Sequence, residues 1–219
     1  MHDDKNIILF DLDGTLCDTG LDLALSVNHS LKELGLPVID IELIKSYVGD
    51  GIHKLIERSL ANSDETKFDE CLEIFLKHYH DHCTDNTVVY SGGIEMLSAL
   101  KDKHTLGVLT NKDRSFSEKI LKNLNILPYF AEVVGGDTLP VKKPEPEGIF
   151  YFSKKFSVPV ENIIMVGDHK TDLELCRRAG IKSIFCNFGM GVTGDLIPDY
   201  RINSFTDLIP LLNQIWAER

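Results

Sequence analysis

The chain turns abruptly from apolar to acidic at residues 7–15, which read IILFDLDGT. Four apolar residues in a row are enough for a short buried strand, and Asp11, Asp13 and Gly14 then form a polar turn. Of two carboxylates placed two positions apart in such a turn, one can act as a nucleophile and the other can transfer a proton. We therefore expect a strand that ends in a reactive loop.

Further apolar runs follow this one and alternate with segments of helical periodicity. The runs are residues 106–109, 132–134, 163–166 and 183–186. Runs that are apolar on both faces are typical of a buried parallel sheet, and strand-helix alternation implies right-handed crossovers. The predicted fold class is therefore α/β, a doubly wound parallel sheet.

The alternation fails from about residue 16 to about residue 88, where we predict no strand. Apolar residues recur there at helical spacing, in the stripes Ala24/Val27/Leu31/Leu34, Ile52/Leu55/Ile56/Leu60 and Phe68/Leu72/Phe75/Tyr79. An all-helical insertion of this length predicts a separate small domain. We place the α/β core domain at residues 1–15 and 89–219 and the inserted helical domain at 16–88.

The composition of the 219 residues, 43% hydrophobic and 26% charged, is that of an ordinary soluble globular protein. A net charge of −11 argues against general nucleic-acid binding. No apolar run approaches the roughly 18 residues of a membrane helix. The acidic start at residues 1–4 does not resemble a signal peptide, and five cysteines without a C-x-x-C pair fit reduced thiols. We expect a cytoplasmic protein without nucleic-acid or membrane partners.

Polar residues cluster where the predicted strands end, the edge at which open α/β sheets bind ligands. Thr110 and Asn111 follow the second strand of the core and can hydrogen-bond the oxygens of an anion. Lys143 supplies a positive point charge, and Asp168 and Asp172 follow a later strand at the start of a predicted helix. Any one of these residues is more often a cap or a turn residue, but their ordered occurrence at strand ends indicates one site.

Taken together, these residues resemble the four sequence motifs of the haloacid dehalogenase superfamily of phosphohydrolases. The matching segments are Asp11-Leu12-Asp13-Gly14-Thr15-Leu16, Thr110-Asn111, Lys143-Pro144 and Gly167-Asp168 with Asp172. The insertion resembles the helical cap of that superfamily, which closes over the active site. The resemblance implies a magnesium-dependent phosphomonoesterase that acts on a small phosphorylated metabolite through an aspartyl-phosphate intermediate.

The resemblance also implies a role for each residue. Asp11 would be the nucleophile, and Asp13 would protonate the leaving oxygen and later activate water. Magnesium would be held by the Asp11 carboxylate, the main-chain carbonyl of Asp13 and Asp168.

The remaining motif residues would act on the phosphoryl group. Thr110, Asn111 and Lys143 would hold and neutralise it. Asp172 would orient Lys143, or a water molecule on the magnesium, from outside the ligand set. The superfamily members that cleave carbon–halogen bonds lack an acid at the position of Asp13, so this residue favours phosphate chemistry.

The cap segment at residues 47–52, YVGDGI, together with Glu57-Arg58, is similar to the corresponding stretch of the bacterial phosphoglycolate phosphatase family. Arg58 could neutralise a second anionic group of the substrate, such as a carboxylate, or could pair with Glu57 or with solvent. On this resemblance 2-phosphoglycolate is the favoured substrate.

Alternatives within the superfamily are a pyrophosphatase, a nucleotidase, a sugar phosphatase or a phosphomutase, because cap residues set substrate choice. A non-catalytic binding module is the alternative from another class. His78, His80 and His82 alternate, and on a helix His78 and His82 would have the spacing of two zinc ligands. No third ligand is near in sequence, so we interpret the three histidines as a solvated helix end. The chain is expected to be a monomer or a homodimer.

Overall fold

The computed structural model describes residues 6–217. Within this range the strands are β1 (Ile7–Phe10), β2 (Cys17–Asp18), β3 (Val88–Val89), β4 (Thr105–Leu109), β5 (Glu132–Val134), β6 (Ile163–Gly167), β7 (Lys182–Cys186) and β8 (Tyr200–Ile202). The helices of the same range are α1 (Gly20–Glu33), α2 (Ile41–Lys45), α3 (Ile52–Leu60), α4 (Phe68–His82), α5 (Gly93–Leu100), α6 (Arg114–Asn123), α7 (Glu147–Phe156), α8 (Lys170–Ala179) and α9 (Leu208–Ala217).

Six strands form one parallel sheet in the order β5-β4-β1-β6-β7-β8. Strand β1 lies between β4 and β6, with Ile7 opposite both Thr105 and Ile163. The predicted α/β fold class, a doubly wound parallel sheet, is confirmed. The short edge strand β8 was not predicted, because three residues with a single buried side chain, Ile202, carry no readable period.

The apolar residues of β1 explain why the sheet is buried on both faces. Ile8 and Phe10 belong to one hydrophobic cluster, and Ile7 and Leu9 belong to the other. All four side chains are fully buried, as expected where successive side chains of a strand point to opposite faces and helices cover both.

The insertion after β1 is helical, and the three predicted stripes lie on α1, α3 and α4. The short helix α2 was not predicted. Our expectation of no strand between residues 16 and 88 was wrong, because Cys17 and Asp18 pair with Val89 and Val88 in an antiparallel ribbon. Strands of two residues are set by their partner and leave no pattern in the sequence. The division into domains at these positions stays a prediction.

No helix within residues 6–217 is long and apolar enough to cross a membrane. The expectation that the acidic start is not a signal peptide rests mainly on residues 1–5, which lie outside the described residues.

Candidate active site

The predicted site residues follow the carboxyl ends of neighbouring strands. Asp11 follows β1, Thr110 follows β4, and Asp168 follows β6. Because β1 lies between β4 and β6, the three loops meet at the same edge of the sheet. This edge is where open α/β sheets bind ligands.

A buried ammonium group lies between two carboxylates at this edge. Lys143 Nζ is 2.9 Å from Asp11 Oδ2 and 2.7 Å from Asp172 Oδ1. All three side chains are at least 95% buried. Ion pairs so shielded from solvent are screened little by salt and fix the positions of the groups they join. The structure thus joins three residues that are separated by long stretches of sequence.

Hydrogen bonds from neighbouring groups hold the carboxylates of Asp168 and Asp172 in place. Asp168 accepts a hydrogen bond from the Thr15 hydroxyl at 2.9 Å and from the backbone N–H groups of Met190 and Gly191 at 2.9 and 2.8 Å. Asp172 accepts the backbone N–H of His169 at 3.0 Å, in the capping arrangement that begins α8. Both carboxylates are therefore held by the backbone of the core.

Burial disturbs the ionisation of this cluster. It raises the pKa of Asp168 to about 8, with further increases from Asp11 and Asp172. It also raises the pKa of Asp11 to about 6, although the nearby Lys143 ammonium acts in the opposite direction. Burial lowers the pKa of Lys143, but the Asp11 and Asp172 carboxylates outweigh it and the net shift is upward. Without a further cation, the protein therefore opposes full ionisation of these carboxyl groups beside a single ammonium group.

The same carboxylates fit a divalent metal ion. One oxygen each from Asp11, Asp168 and Asp172 can be chosen so that all lie within 4.8 Å of one another. An all-oxygen donor set with excess negative charge is the type that binds hard cations. The structure brings Asp172 into this set beside the expected Asp11 and Asp168, whereas the expected role of the Asp13 carbonyl stays a prediction.

Both oxygens of the Asp13 carboxylate have a partner. The Thr19 hydroxyl donates to Oδ1 at 2.6 Å, and Lys112 Nζ lies 3.0 Å from Oδ2. Burial lowers the pKa of Lys112, but Asp13 outweighs it and the net shift is upward, so the side chain is cationic. Sequence reasoning did not place Lys112 or Thr19 in the site. Its position directly after Thr110 and Asn111 could have indicated that Lys112 belongs to the site.

Asn111 joins the core to the insertion. Its Nδ2 group donates to the carbonyl oxygens of Gly49 at 3.0 Å and Lys143 at 3.1 Å. Its Oδ1 atom is buried and has no hydrogen-bond partner among the described residues. Thr110 is buried beside it and accepts the backbone N–H of Lys112 at 3.3 Å. Asn111 thus presents an unused acceptor within the site.

A small cavity of about 20 Å³ lies between the insertion and the strand ends. Its lining residues are Asp11, Asp13, Leu23, Val48, Gly49, Gly51, Ile52, Leu55, Thr110, Asn111 and Lys112. A volume of this size accommodates about one water molecule. The insertion therefore lies over the strand ends and supplies one wall of this cavity.

Gly49 allows this close cover. Its φ of 121° is unfavourable for other residues, and a Cβ atom there would lie 2.7 Å from the ring of His169. The loop can approach α8 this closely because position 49 lacks a side chain.

Arg58 is placed differently from the other predicted residues. Its Nη1 group donates to the carbonyl of Tyr47 at 2.8 Å, and its Nη2 group forms an ion pair with Asp50. It is not among the residues that line the cavity. The structure therefore gives Arg58 partners in its own loop, and its predicted contact with substrate stays a prediction.

The histidines near the end of α4 are not among the residues that line the cavity. His78 contacts the Ser26 hydroxyl at 2.9 Å, and its ring stacks between those of His29 and His82 at 4.1 and 4.3 Å. His80 is exposed and pairs with its neighbour Asp81. Among the described residues, no histidine belongs to a group of three with metal-binding spacing.

Comparisons with known proteins agree with this geometry. A family model described as haloacid dehalogenase-like hydrolase matches residues 8–186. A phosphoglycolate phosphatase of Colwellia psychrerythraea is 37% identical over 217 residues, which cover 94% of this chain and 96% of that protein. One from Aquifex aeolicus is 37% identical over 209 residues, with 94% and 96% covered.

Solved structures show the same likeness. The crystal structure of a protein from Haemophilus somnus 129pt, described as a predicted phosphoglycolate phosphatase, superposes with a TM-score of 0.89 at 30% identity. The superposition covers 95% of this chain and 98% of that one. The likeness therefore extends over the sheet and the insertion together.

Proposed function

The chain belongs to the haloacid dehalogenase-like hydrolases, and from this premise we propose that it is a phosphatase that hydrolyses 2-phosphoglycolate to glycolate and phosphate. The observation that carries the proposal is the buried contact between Asp11 and Lys143 beside Asp168. It combines a carboxylate nucleophile, a cation for the phosphoryl group and a metal ligand at one sheet edge. The choice of substrate is supported by relatives named phosphoglycolate phosphatase that match along nearly their full length.

In this proposal Asp11 is the nucleophile. Its carboxylate oxygen forms a bond to phosphorus while the bond from phosphorus to the ester oxygen breaks. Asp13 gives its proton to the departing alkoxide, which leaves as glycolate. The product of this first step is a phosphoryl group on Asp11.

In the second step Asp13 acts as a base. As a carboxylate it removes a proton from water, and the water oxygen attacks the phosphorus of the aspartyl phosphate. Phosphate leaves, and Asp11 is regenerated as a carboxylate. Because Thr19 and Lys112 hold the two oxygens of Asp13, the same side chain is kept in reach of both steps.

The phosphoryl oxygens are bound by Thr110, Asn111 and Lys143, which supply a hydroxyl, an amide and an ammonium group. Asp172 positions the Lys143 ammonium through their 2.7 Å contact. Mg²⁺ is the proposed metal, held by Asp11, the Asp13 carbonyl and Asp168. When bound, it supplies positive charge between an anionic nucleophile and an anionic phosphate.

We place the reaction in the cytoplasm. All five cysteines are free thiols buried in the protein, an arrangement that suits a reducing compartment.

The test is a screen for released phosphate over a panel of metabolites, with Mg²⁺ and with EDTA. The panel contains 2-phosphoglycolate, pyrophosphate, nucleoside monophosphates and hexose phosphates. We expect the highest kcat/KM for 2-phosphoglycolate and no turnover in EDTA. A higher value for another ester would reject the substrate, and no turnover on any ester with Mg²⁺ would reject the phosphatase.

A further inference from the structure

Lys112 is a second buried cation in the site, and it contacts the acid rather than the nucleophile. Its side chain is 2% exposed, and its Nζ atom lies 3.0 Å from Asp13 Oδ2. The same atom lies 4.9 Å from the centre of the Tyr79 ring, at a distance suited to a cation–π contact. Burying an ammonium group so completely is unfavourable unless anions compensate it, and Asp13 is the compensating anion beside Lys112.

The other side of Lys112 faces the cavity under the insertion. Among the described residues that line this cavity, Lys112 is the basic one. Apolar side chains, including Val48, Ile52 and Leu55, form the wall on the side of the insertion. An ammonium group has three N–H donors, and Asp13 accepts one of them. Lys112 therefore has donors for a second anion, in surroundings that strengthen such a contact.

Arg58 is not among the residues that line the cavity. Its two terminal nitrogens are engaged by Tyr47 and Asp50, and the Asp50 carboxylate compensates its charge. Lys112 and Asp13, by contrast, both lie on loops of the sheet edge, and Tyr79 and Thr19 of the insertion contact them there.

The structure of the substrate makes this location significant. In 2-phosphoglycolate a single methylene carbon separates the ester oxygen from the carboxylate. Asp13 is the proposed proton donor to that ester oxygen, so the carboxylate has to lie close to Asp13. A second carboxylate beside Asp13 needs a compensating cation, and Lys112 is the cation that contacts Asp13.

We infer that Lys112 binds the carboxylate of the substrate and is the residue that selects phosphorylated acids over neutral phosphate esters. The inference rests on the proposed function and names the residue responsible for its substrate class. It also assigns Arg58 a different part, which is to hold the loop at Tyr47 and Asp50.

The experiment compares kcat/KM for 2-phosphoglycolate and for ethyl phosphate, in which a methyl group replaces the carboxylate. The full chain is used with Mg²⁺. Both esters release an alkoxide and need Asp13, so the ratio of kcat/KM for 2-phosphoglycolate to that for ethyl phosphate reports the effect of the substrate carboxylate. In K112M we expect this ratio to fall by about 10- to 100-fold, the range for losing a hydrogen bond between charged groups. K112R keeps the charge and is expected to retain most of the ratio.

Two further variants serve as controls. In R58M we expect both esters to lose activity by the same factor, because the loop is loosened while Lys112 is intact. K54M changes an exposed lysine on α3 that pairs with Glu57, and we expect the ratio and both rates to stay within about threefold of wild type.

Equal losses with both esters in K112M would overturn the inference, because Lys112 would then only support Asp13. A collapse of the ratio in R58M would overturn it in favour of Arg58. Failure of the proposed function would give a different result. The wild-type chain itself would then show no preference for 2-phosphoglycolate over ethyl phosphate, and the inference would be rejected together with the proposed function.

If K112M does not fold, K112Q removes the charge but keeps a donor toward Asp13, with the same expected result. The wild-type chain also gives an answer without any variant, through inhibition of ethyl phosphate hydrolysis. Glycolate is expected to inhibit competitively at least about tenfold more strongly than its neutral amide, glycolamide. Equal inhibition by the two compounds would overturn the inference.

Discussion

Lys143 Nζ lies 2.9 Å from Asp11 Oδ2, and neither side chain is more than 5% exposed. The ammonium group therefore fixes the carboxylate that is proposed to attack phosphorus and stays beside it as charge develops. The same contact makes the site important for stability, because each of the two charges is buried and depends on the other.

Replacing Asp11 with Asn tests the nucleophile. Asn has nearly the same shape but no carboxylate, so we expect phosphate release to fall by about 10³-fold or more. Circular dichroism and thermal unfolding are expected to show an intact fold. Hydrolysis at the wild-type rate in D11N would reject Asp11 as the nucleophile.

Replacing Lys143 with Met tests the buried ion pairs. The change leaves Asp11 and Asp172 without their cation, and we expect the free energy of unfolding to drop by about 3 kcal/mol in urea titrations at neutral pH. The exposed pair of Lys54 and Glu57 is the control, and K54M is expected to change stability little. A comparable small change in both variants would contradict the prediction.

The pKa of Asp168 predicts how pH acts on the metal-free protein. The carboxyl titrates near 3.8 when unfolded and near 8 when folded, so between these values the folded state retains a proton that the unfolded state has lost. The contribution of Asp168 to stability is therefore lost as pH rises through this interval.

A divalent cation reverses this effect, because it binds the deprotonated carboxylates. We expect Mg²⁺ to raise the Tm more at pH 8 than at pH 6, as measured by scanning calorimetry. D168N is the control and is expected to lose most of the Mg²⁺ effect at both values. A Tm increase that does not depend on pH would argue against Asp168 as a ligand.

Replacing Gly49 with Ala tests the close approach of the loop to the core. The added Cβ atom would meet the His169 ring, so we expect the loop to be displaced and kcat/KM to fall by about tenfold. Gly35→Ala is the control for a positive φ without a clash, since Gly35 has a φ of 69° and no atoms within 4 Å of an added Cβ. It is expected to lower stability by about 1 kcal/mol and to leave kcat/KM unchanged.

A reduction of activity in G35A equal to that in G49A would contradict this explanation. Backbone strain would then be sufficient, without any contact to His169.

The grouping of polar residues at the strand ends was predictable from the sequence, because it follows from the geometry of a parallel sheet. Parallel strands bring their carboxyl ends to the same edge, so residues such as Asp11, Thr110 and Asp168 could be grouped without knowledge of any contact. The buried helical stripes were predictable for a similar reason, since a period of 3.6 residues is visible within each segment.

The contacts between side chains were not predictable in this way. Lys112 and Asp13 are separated by 99 positions, and their contact depends on the direction each side chain takes after its strand ends. The contact of Arg58 with substrate is predicted from its neighbours in sequence and stays a prediction, and its contacts with Asp50 and Tyr47 depend on the folding of the loop. Patterns within one segment carry no information on such pairings.

The antiparallel ribbon of Cys17–Asp18 and Val88–Val89 joins the two ends of the insertion. Adjacent strands lie about 5 Å apart, so the chain leaves the sheet and returns to it at nearly the same point. The order of the six parallel strands therefore sets no length for the stretch between the two short strands, since only its ends meet at the ribbon. The insertion nevertheless reaches the proposed chemistry, because Thr19, which donates to Asp13, stands directly after the first strand of the ribbon. An exchange of the insertion that keeps Thr19 is therefore expected to change the cover over the site before it changes the proposed reaction.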